Sequence, residues 1–131
     1  LHGADIVLTG VSRTSKTPLS MYLAQRGFRT GNVPIVPGVD PPRELLEIDP
    51  RKVIGLVSDA TALLEIRRAR IRQLRASPYS SYADADAVEE ELRRARELYR
   101  RQGWRVVDTT GKAVEESAAR ILEVYQEGRP G

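Results

Sequence analysis

The chain has 131 residues, a size typical of one domain, and 21 Lys and Arg against 18 Asp and Glu give a net charge of +3. Basic and acidic residues are interleaved over much of the second half, and one Trp, one Phe and five Tyr form no base-stacking array, which argues against a nucleic-acid surface. The absence of cysteine excludes disulfides and thiolate metal sites, and no apolar run approaches the length of a membrane span.

The first predicted element is an apolar strand at residues 4–9 that leads directly into a candidate phosphate-binding loop. Gly10 is followed, after four residues, by Ser15, Lys16 and Thr17, which matches G-x-x-x-x-G-K-[ST] with serine in place of the second glycine. An ordinary polar turn before a helix is the alternative. The preceding strand, the spacing and the Lys-Thr pair together favour the phosphate loop.

In such a loop, backbone N–H groups surround phosphate oxygens, the lysine reaches the terminal phosphates and the threonine hydroxyl coordinates Mg²⁺. Lys16 is therefore a predicted catalytic residue and Thr17 the predicted metal ligand. The cation inside the loop, Arg13, is a better candidate for a further phosphate contact than Lys112. The predicted nucleotide-binding residues are Gly10, Val11, Ser12, Arg13, Thr14, Ser15, Lys16 and Thr17.

The remaining patterns alternate between strand and helix. Helices are predicted at residues 18–26, Arg43–Glu47, 59–75, Ala85–Gln102 and 112–126, strands at 33–36, Val53–Val57 and 104–109, a proline-rich loop at 37–42 and a turn-rich hinge at 77–83. This alternation indicates an α/β fold, with a parallel sheet flanked by helices on both faces and a ligand site at the carboxyl ends of the strands. The strand order stays open, and residues 1–131 are assigned to one domain.

The helix predicted at residues 59–75 is rich in arginine. On a helical wheel Arg67 and Arg70 fall on the same broad side as four apolar residues, whereas three other arginines fall on the opposite, solvated side: Leu63, Ile66, Ile71 and Leu74 against Arg68, Arg72 and Arg75. A guanidinium that faces a core needs an anion or carbonyls to pair with. Arg67 and Arg70 are therefore candidate catalytic residues that bind phosphate, and a buried salt bridge to the next helix is the alternative.

Acidic residues near strand ends are candidate metal ligands or bases. Asp59 follows a strand and could hold Mg²⁺ through water, but a helix N-cap is favoured there. Asp40 is ambiguous, and Asp108 is expected to order the turn at residues 109–111. The single histidine, His2, lies at the start of the chain, so the sequence offers no histidine general base.

The loop sequence from Gly10 to Ala24 resembles the signature of the regulatory proteins of pyruvate, phosphate dikinase and of phosphoenolpyruvate synthase, and serine at position 15 belongs to that pattern. The resemblance covers nearly the whole chain. It continues through Asn32–Pro37, Pro41 and Pro42 with Glu44 and Leu45, Lys52–Leu56, Ile66 and Arg67 with Arg70 and Ile71, and Val107–Thr109 ahead of Glu115 and Glu116.

The resemblance implies a P-loop kinase-like fold and two activities, in which ADP phosphorylates a threonine of the dikinase and inorganic phosphate later removes that phosphate as pyrophosphate. It also implies ADP, Mg²⁺ and phosphate as ligands. A cytoplasmic location is expected by default, because no signal peptide or membrane-spanning run is visible, and a homodimer stays open. The dikinase is preferred over the synthase as target on the sequence from Ser15 to Ser20.

Three functions are compared: this regulatory kinase and phosphorylase, a kinase for a small molecule or nucleotide, and a non-enzymatic nucleotide sensor. The resembling proteins are longer and the chain starts at Leu1, so residues 1–131 are expected to form their C-terminal half. We expect such a fragment to fold and to bind ADP. We also expect it to show negligible activity, because the general base would lie in the other half.

Overall fold

The computed structural model describes residues 3–11, 14, 16–36, 38–74 and 84–127. Four strands, five α-helices and one short 3₁₀ turn lie within these residues. Their order is β1 (Ile6–Gly10), α1 (Lys16–Gln25), β2 (Thr30–Pro34), α2 (Arg43–Glu47), the turn Pro50–Lys52, β3 (Val53–Val57), α3 (Ala60–Leu74), α4 (Ala85–Gln102), β4 (Arg105–Asp108) and α5 (Val114–Glu127).

The strands form one parallel sheet in the order β2-β1-β3-β4. Every residue of the two central strands, β1 and β3, is buried, because helices cover both faces of the sheet. Parallel pairing brings the carboxyl ends of all four strands to one edge. The predicted α/β fold, with a parallel sheet flanked by helices, is confirmed.

Successive side chains of each central strand point to opposite faces of the sheet, so they pack in two different core layers. Helices α1 and α5 cover one face, where the buried side chains are Ile6, Leu8, Leu19, Leu23, Ile54, Leu56, Val107, Ala118, Ile121 and Val124. The other face is covered by α2, α3 and α4, and it includes Val7, Leu45, Val53, Leu63, Val88, Leu92 and Tyr99. The phosphate loop connects the sheet to the first of these layers.

The observed bounds of α2, β3 and α4 are those predicted from the sequence. Gly103 ends α4 with a left-handed backbone conformation, at a φ of 72°. The second strand was predicted at residues 33–36, but β2 spans Thr30–Pro34 because it pairs with the full length of β1. Helix α1 begins at Lys16, two residues before the predicted start. Pro18 still fits, since the first helical N–H groups have no partner within the helix.

The remaining predicted elements differ from the observed ones by one or two residues at their ends. Residue 75, the predicted end of α3, and the predicted hinge at residues 77–83 lie outside the described part of the chain.

Gly55 of β3 allows α4 to pack closely on the sheet. A Cβ atom at this position would lie 2.6 Å from Cδ2 of the Tyr99 ring. That ring is buried, and its hydroxyl donates hydrogen bonds to the carbonyl oxygens of Leu56 at 2.9 Å and Thr9 at 3.3 Å. Tyr99 thereby connects α4 to the carboxyl ends of both central strands.

The variant Gly55→Ala is expected to lower the free energy of unfolding by about 1–3 kcal/mol, because the added methyl group overpacks a fixed ring. Urea unfolding followed by circular dichroism would measure the change. Gly3→Ala is the matched control, since nothing lies within 4 Å of a Cβ there. Equal stability of the two variants would contradict the close packing.

Candidate functional site

The predicted phosphate loop starts at the carboxyl end of β1, and its described residues converge on one backbone carbonyl. The Val11 carbonyl oxygen accepts hydrogen bonds from Oγ1 of Thr14 at 2.8 Å and from Nζ of Lys16 at 2.7 Å. Val11 and Thr14 are each 1% exposed. Lys16 therefore reaches back across the loop. Ser12, Arg13 and Ser15, which were predicted to bind the nucleotide, lie outside the described residues.

Gly10 permits the close approach of this loop to the neighbouring strand. A Cβ atom at Gly10 would lie 2.8 Å from Oγ1 of Thr14 and 3.1 Å from the carbonyl oxygen of Leu56. Any larger residue would push the buried threonine away from the Val11 carbonyl, and the loop would open. The glycine predicted from the motif is thus required here by packing.

The ammonium of Lys16 occupies an unfavourable environment for a positive charge. Burial, followed by the charge of Arg67, lowers the pKa of Lys16 from 10.5 to about 8. Both effects oppose the charged form, since burial removes water and Arg67 repels a second cation. A bound anion would relieve both, so the site favours an anionic ligand.

Arg67 of α3 points into the molecule, whereas Arg70 does not. The guanidinium of Arg67 is 1% exposed, and its Nη2 donates a 2.8 Å hydrogen bond to Oε2 of Glu91 in α4. The salt bridge to the next helix, considered above as the alternative, is thus present. Glu91 and Val11 of the phosphate loop line the same cavity, so the Arg67–Glu91 pair lies close to that loop.

The prediction that Arg70 and Ile66 face the core is wrong. Among the described side chains of α3, the buried ones form a narrow stripe of Leu63, Arg67 and Ile71 at a spacing of four residues. Ile66 is 48% exposed and Arg70 is exposed, because the packed side of α3 is centred toward the partly buried Ala60 and Leu64, and Ile66 and Arg70 lie on the other flank of the stripe. A catalytic role of Arg70 stays a prediction without this support.

The structure describes two of the three arginines that the helical wheel places on the solvated side of α3. Arg68 and Arg72 are exposed, as predicted. Arg75 and the side chain of Leu74 lie outside the described part, as does His2.

Sequence reasoning missed Glu91. It lies three residues after the buried Val88 and four before the buried Ala95, so helical spacing places it on the packed side of α4. A carboxylate at that spacing on an otherwise apolar face signals a buried partner. This was the available signal, and Arg67 is that partner.

Asp59 and Asp108 have structural roles, as favoured from the sequence. Asp59 caps α3, since its Oδ2 accepts a hydrogen bond from the N–H of Ala62 at 3.1 Å. Oδ1 of Asp108 accepts hydrogen bonds from the N–H and the hydroxyl of Thr110 at 2.9 and 2.6 Å. Burial opposes the charge of Asp108, but the bonds from Thr110 outweigh it and hold the pKa of this carboxyl below its ordinary value.

The predicted metal ligand, Thr17, is exposed and immediately follows Lys16 in the first turn of α1. Within the described ranges, no group of three or more His, Cys, Asp or Glu side chains could hold a metal ion. Lys112, the weaker phosphate candidate, is exposed in the turn before α5. No described helix has the length and apolar character that a membrane crossing requires.

A cavity of about 540 Å³ opens beside the phosphate loop, on the β2 side of the sheet. Its floor includes Val11, Ile35 and Leu98. One wall is the loop between β2 and α2, including Asp40, and the other is the face of α4 that carries Glu91. The loop, the buried arginine and the cavity thus adjoin one another at the carboxyl edge of the sheet.

The parallel sheet and the loop between β1 and α1 define an α/β fold consistent with a P-loop kinase-like domain. A family model described as kinase/pyrophosphorylase matches residues 1–122, so the chain belongs to the kinase/pyrophosphorylase family.

Several relatives provisionally named pyruvate, phosphate dikinase regulatory protein match nearly the whole chain. The protein from Geotalea uraniireducens (strain Rf4) is 58% identical over 131 residues, which cover 99% of this chain and 49% of the relative. The protein from Geobacter sulfurreducens (strain PCA) is 56% identical over 124 residues, covering 94% and 46%. That from Alkaliphilus oremlandii is 51% identical over 127 residues, covering 97% and 46%. The chain spans about half the length of the curated relatives it matches.

Proposed function

We propose that this chain is the nucleotide-binding part of a bifunctional regulator of pyruvate, phosphate dikinase, acting in the cytoplasm. In this function ADP phosphorylates a threonine of the dikinase, and inorganic phosphate removes the phosphoryl group as pyrophosphate. The observation that carries the proposal is the half-buried ammonium of Lys16, which donates a 2.7 Å hydrogen bond to the Val11 carbonyl at the end of β1. Membership of the kinase/pyrophosphorylase family supports it.

In the kinase direction, the threonine hydroxyl oxygen attacks the β-phosphorus of ADP and the bond to the bridging oxygen breaks. The products are phosphothreonine, AMP and a proton. Phosphoryl transfer depends mainly on positioning and on neutralising charge. Lys16 supplies a cation that is already partly desolvated, which strengthens its attraction to phosphate oxygens.

In the opposite direction, an oxygen of inorganic phosphate attacks the phosphorus of phosphothreonine. The bond to the threonine oxygen breaks, that oxygen takes up a proton, and pyrophosphate is released. The same cations serve this reaction, since both directions place two phosphate groups side by side during transfer. One loop can therefore bind ADP in one reaction and form pyrophosphate in the other.

We expect Mg²⁺ to bind here with few protein ligands. Mg²⁺ in such enzymes is held mainly by substrate phosphates and water, with one or two protein oxygens. The Thr17 hydroxyl at the start of α1 would be that protein ligand. When bound, the ion would neutralise phosphate charge.

The proposal is tested by incubating the full-length protein with the dikinase, Mg²⁺ and ADP labelled in the β-phosphate. Label on a dikinase threonine, released as pyrophosphate on addition of phosphate, is the expected result. Label transferred to a metabolite, or nucleotide binding without transfer, would contradict the proposed function. Replacing the dikinase with phosphoenolpyruvate synthase tests the alternative target.

Nucleotide binding is expected to take up protons near pH 8. The anion raises the lowered pKa of Lys16, so the fraction of lysine that is neutral in the free protein gains a proton, roughly half a proton at pH 8. Affinity should accordingly fall as the pH rises through 8. Phosphate esters lose their last proton near about pH 6, so the ligand contributes little at this pH.

Calorimetry in two buffers of different ionisation enthalpy measures this uptake. Lys16→Arg is the matched control, because a guanidinium stays charged at pH 8 and should bind ADP without gaining a proton. Equal proton uptake by the two proteins would contradict the assignment of the titrating group.

A further inference from the structure

The cavity between the β2–α2 loop and α4 adjoins the phosphate-binding lysine through a shared residue. Val11 lines the cavity, and its carbonyl oxygen accepts the 2.7 Å hydrogen bond from Nζ of Lys16. A group inside the cavity therefore lies next to the place where the loop would hold a terminal phosphate. The volume of about 540 Å³ is in the range of ligand sites and exceeds what one small side chain fills.

Glu91 presents a fixed carboxylate to this cavity. It lines the wall formed by α4, its side chain is 11% exposed, and Arg67 donates to its Oε2 at 2.8 Å. An ionised carboxylate has about four lone-pair sites, so the hydrogen bond from Arg67 leaves capacity for a hydroxyl donor. Arg67 thus orients an acceptor group toward the cavity, close to the phosphate loop.

The lining of the cavity suits a polypeptide segment. Its carboxylates are largely paired, since Glu91 bonds to Arg67 and Arg93 bonds to both Glu90 and Glu97, so the lining carries little net charge and can accept a phosphorylated or an unphosphorylated side chain. Carboxylate oxygens that these arginines leave free can accept hydrogen bonds from hydroxyl and backbone N–H donors. At the cavity wall, Val36 is 48% exposed and Val39 63% exposed, so the apolar lining extends to the surface and can accept side chains that flank the inserted residue.

We propose that this cavity is the acceptor site, which receives the segment of the protein substrate carrying the threonine, with Glu91 as the group that accepts the hydroxyl hydrogen. The inference rests on the proposed function. As the threonine oxygen bonds to the β-phosphorus of ADP and AMP leaves, the threonine proton passes to the carboxylate of Glu91. In the phosphorolysis direction, the carboxylic acid returns the proton to the threonine oxygen when its bond to phosphorus breaks.

Two variants of the full-length protein test the cavity and the carboxylate separately. Ala87→Phe places a ring in the cavity from α4, and the KM for the dikinase is expected to rise at least tenfold with an unchanged Kd for ADP. Glu91→Gln keeps the size and an oxygen that can accept from Arg67 but is a far weaker proton acceptor. It is expected to lower kcat at least tenfold and to leave the Kd for ADP and the KM for the dikinase nearly unchanged.

The matched controls lie on α5, on the opposite face of the sheet. Ala119→Phe and Glu123→Gln alter exposed positions there and should retain the activity of the unmodified protein. If the unmodified protein phosphorylates the dikinase and Ala87→Phe does so with the same KM, the acceptor site is wrong. Unchanged kcat in Glu91→Gln would overturn the role of Glu91. Failure of the unmodified protein to phosphorylate the dikinase would instead contradict the proposed function.

Discussion

Lys16→Ala is expected to weaken ADP binding by at least about 10-fold and up to about 150-fold. This range corresponds to the roughly 1.5–3 kcal/mol typical of a hydrogen bond to a charged group. Among the described loop residues, Lys16 is the only cation that bonds to the Val11 carbonyl, so no described neighbour replaces its ammonium. Calorimetric titration with ADP and Mg²⁺ measures the loss.

The fold should survive Lys16→Ala, because Lys16 is only half-buried and its surroundings disfavour its charged form. Lys52→Ala is the control, since Lys52 lies at the amino end of β3, away from the carboxyl edge. ADP affinity that is the same in Lys16→Ala and Lys52→Ala would refute the phosphate-loop assignment.

Arg67→Met is expected to lower the free energy of unfolding by about 3 kcal/mol, because it leaves the carboxylate of Glu91 without its buried partner. This value is the lower end of the range for broken buried ion pairs, since Glu91 borders a cavity that water can enter. Arg70→Met should change stability by no more than about 0.5 kcal/mol, as is usual for an exposed position. Denaturant unfolding of both variants makes the comparison.

A double variant separates the structural role of Arg67 from a role in phosphate binding. Arg67→Met combined with Glu91→Met removes both charges and should recover most of the lost stability, because apolar side chains can replace a buried ion pair. If Arg67 also attracts phosphate, ADP affinity stays reduced in the stable double variant. Recovery of both stability and ADP affinity would show that Arg67 is structural only.

The sequence by itself determined the features that depend on local spacing. The loop from Gly10 to Thr17 follows a motif in which each residue type has a chemical reason, and apolar periodicity predicted α2, β3 and α4 with their observed bounds. The caps at Asp59 and Gly103 were also readable, because a cap depends on a few neighbouring residues. These predictions required no knowledge of which elements pack together.

Only the tertiary structure decided which side of α3 is buried. A helical wheel places Arg67 and Arg70 on one broad side, but the width of the buried stripe depends on how α3 rests against the sheet and α4. Leu63, Arg67 and Ile71 are buried and Arg70 is not. Strand β2 likewise extends to Thr30 because its pairing with β1 adds residues that have no apolar pattern of their own.

The sequence left open whether Arg67 faces phosphate or a carboxylate of the next helix, because Lys16, Arg67 and Glu91 lie on three different helices, α1, α3 and α4. Their arrangement follows from the strand order β2-β1-β3-β4, which brings the carboxyl ends of β1 and β3 side by side. The helices that follow these strands then converge at one edge of the sheet. Long-range pairing sets this geometry, whereas sequence patterns report only the period and the ends of each element.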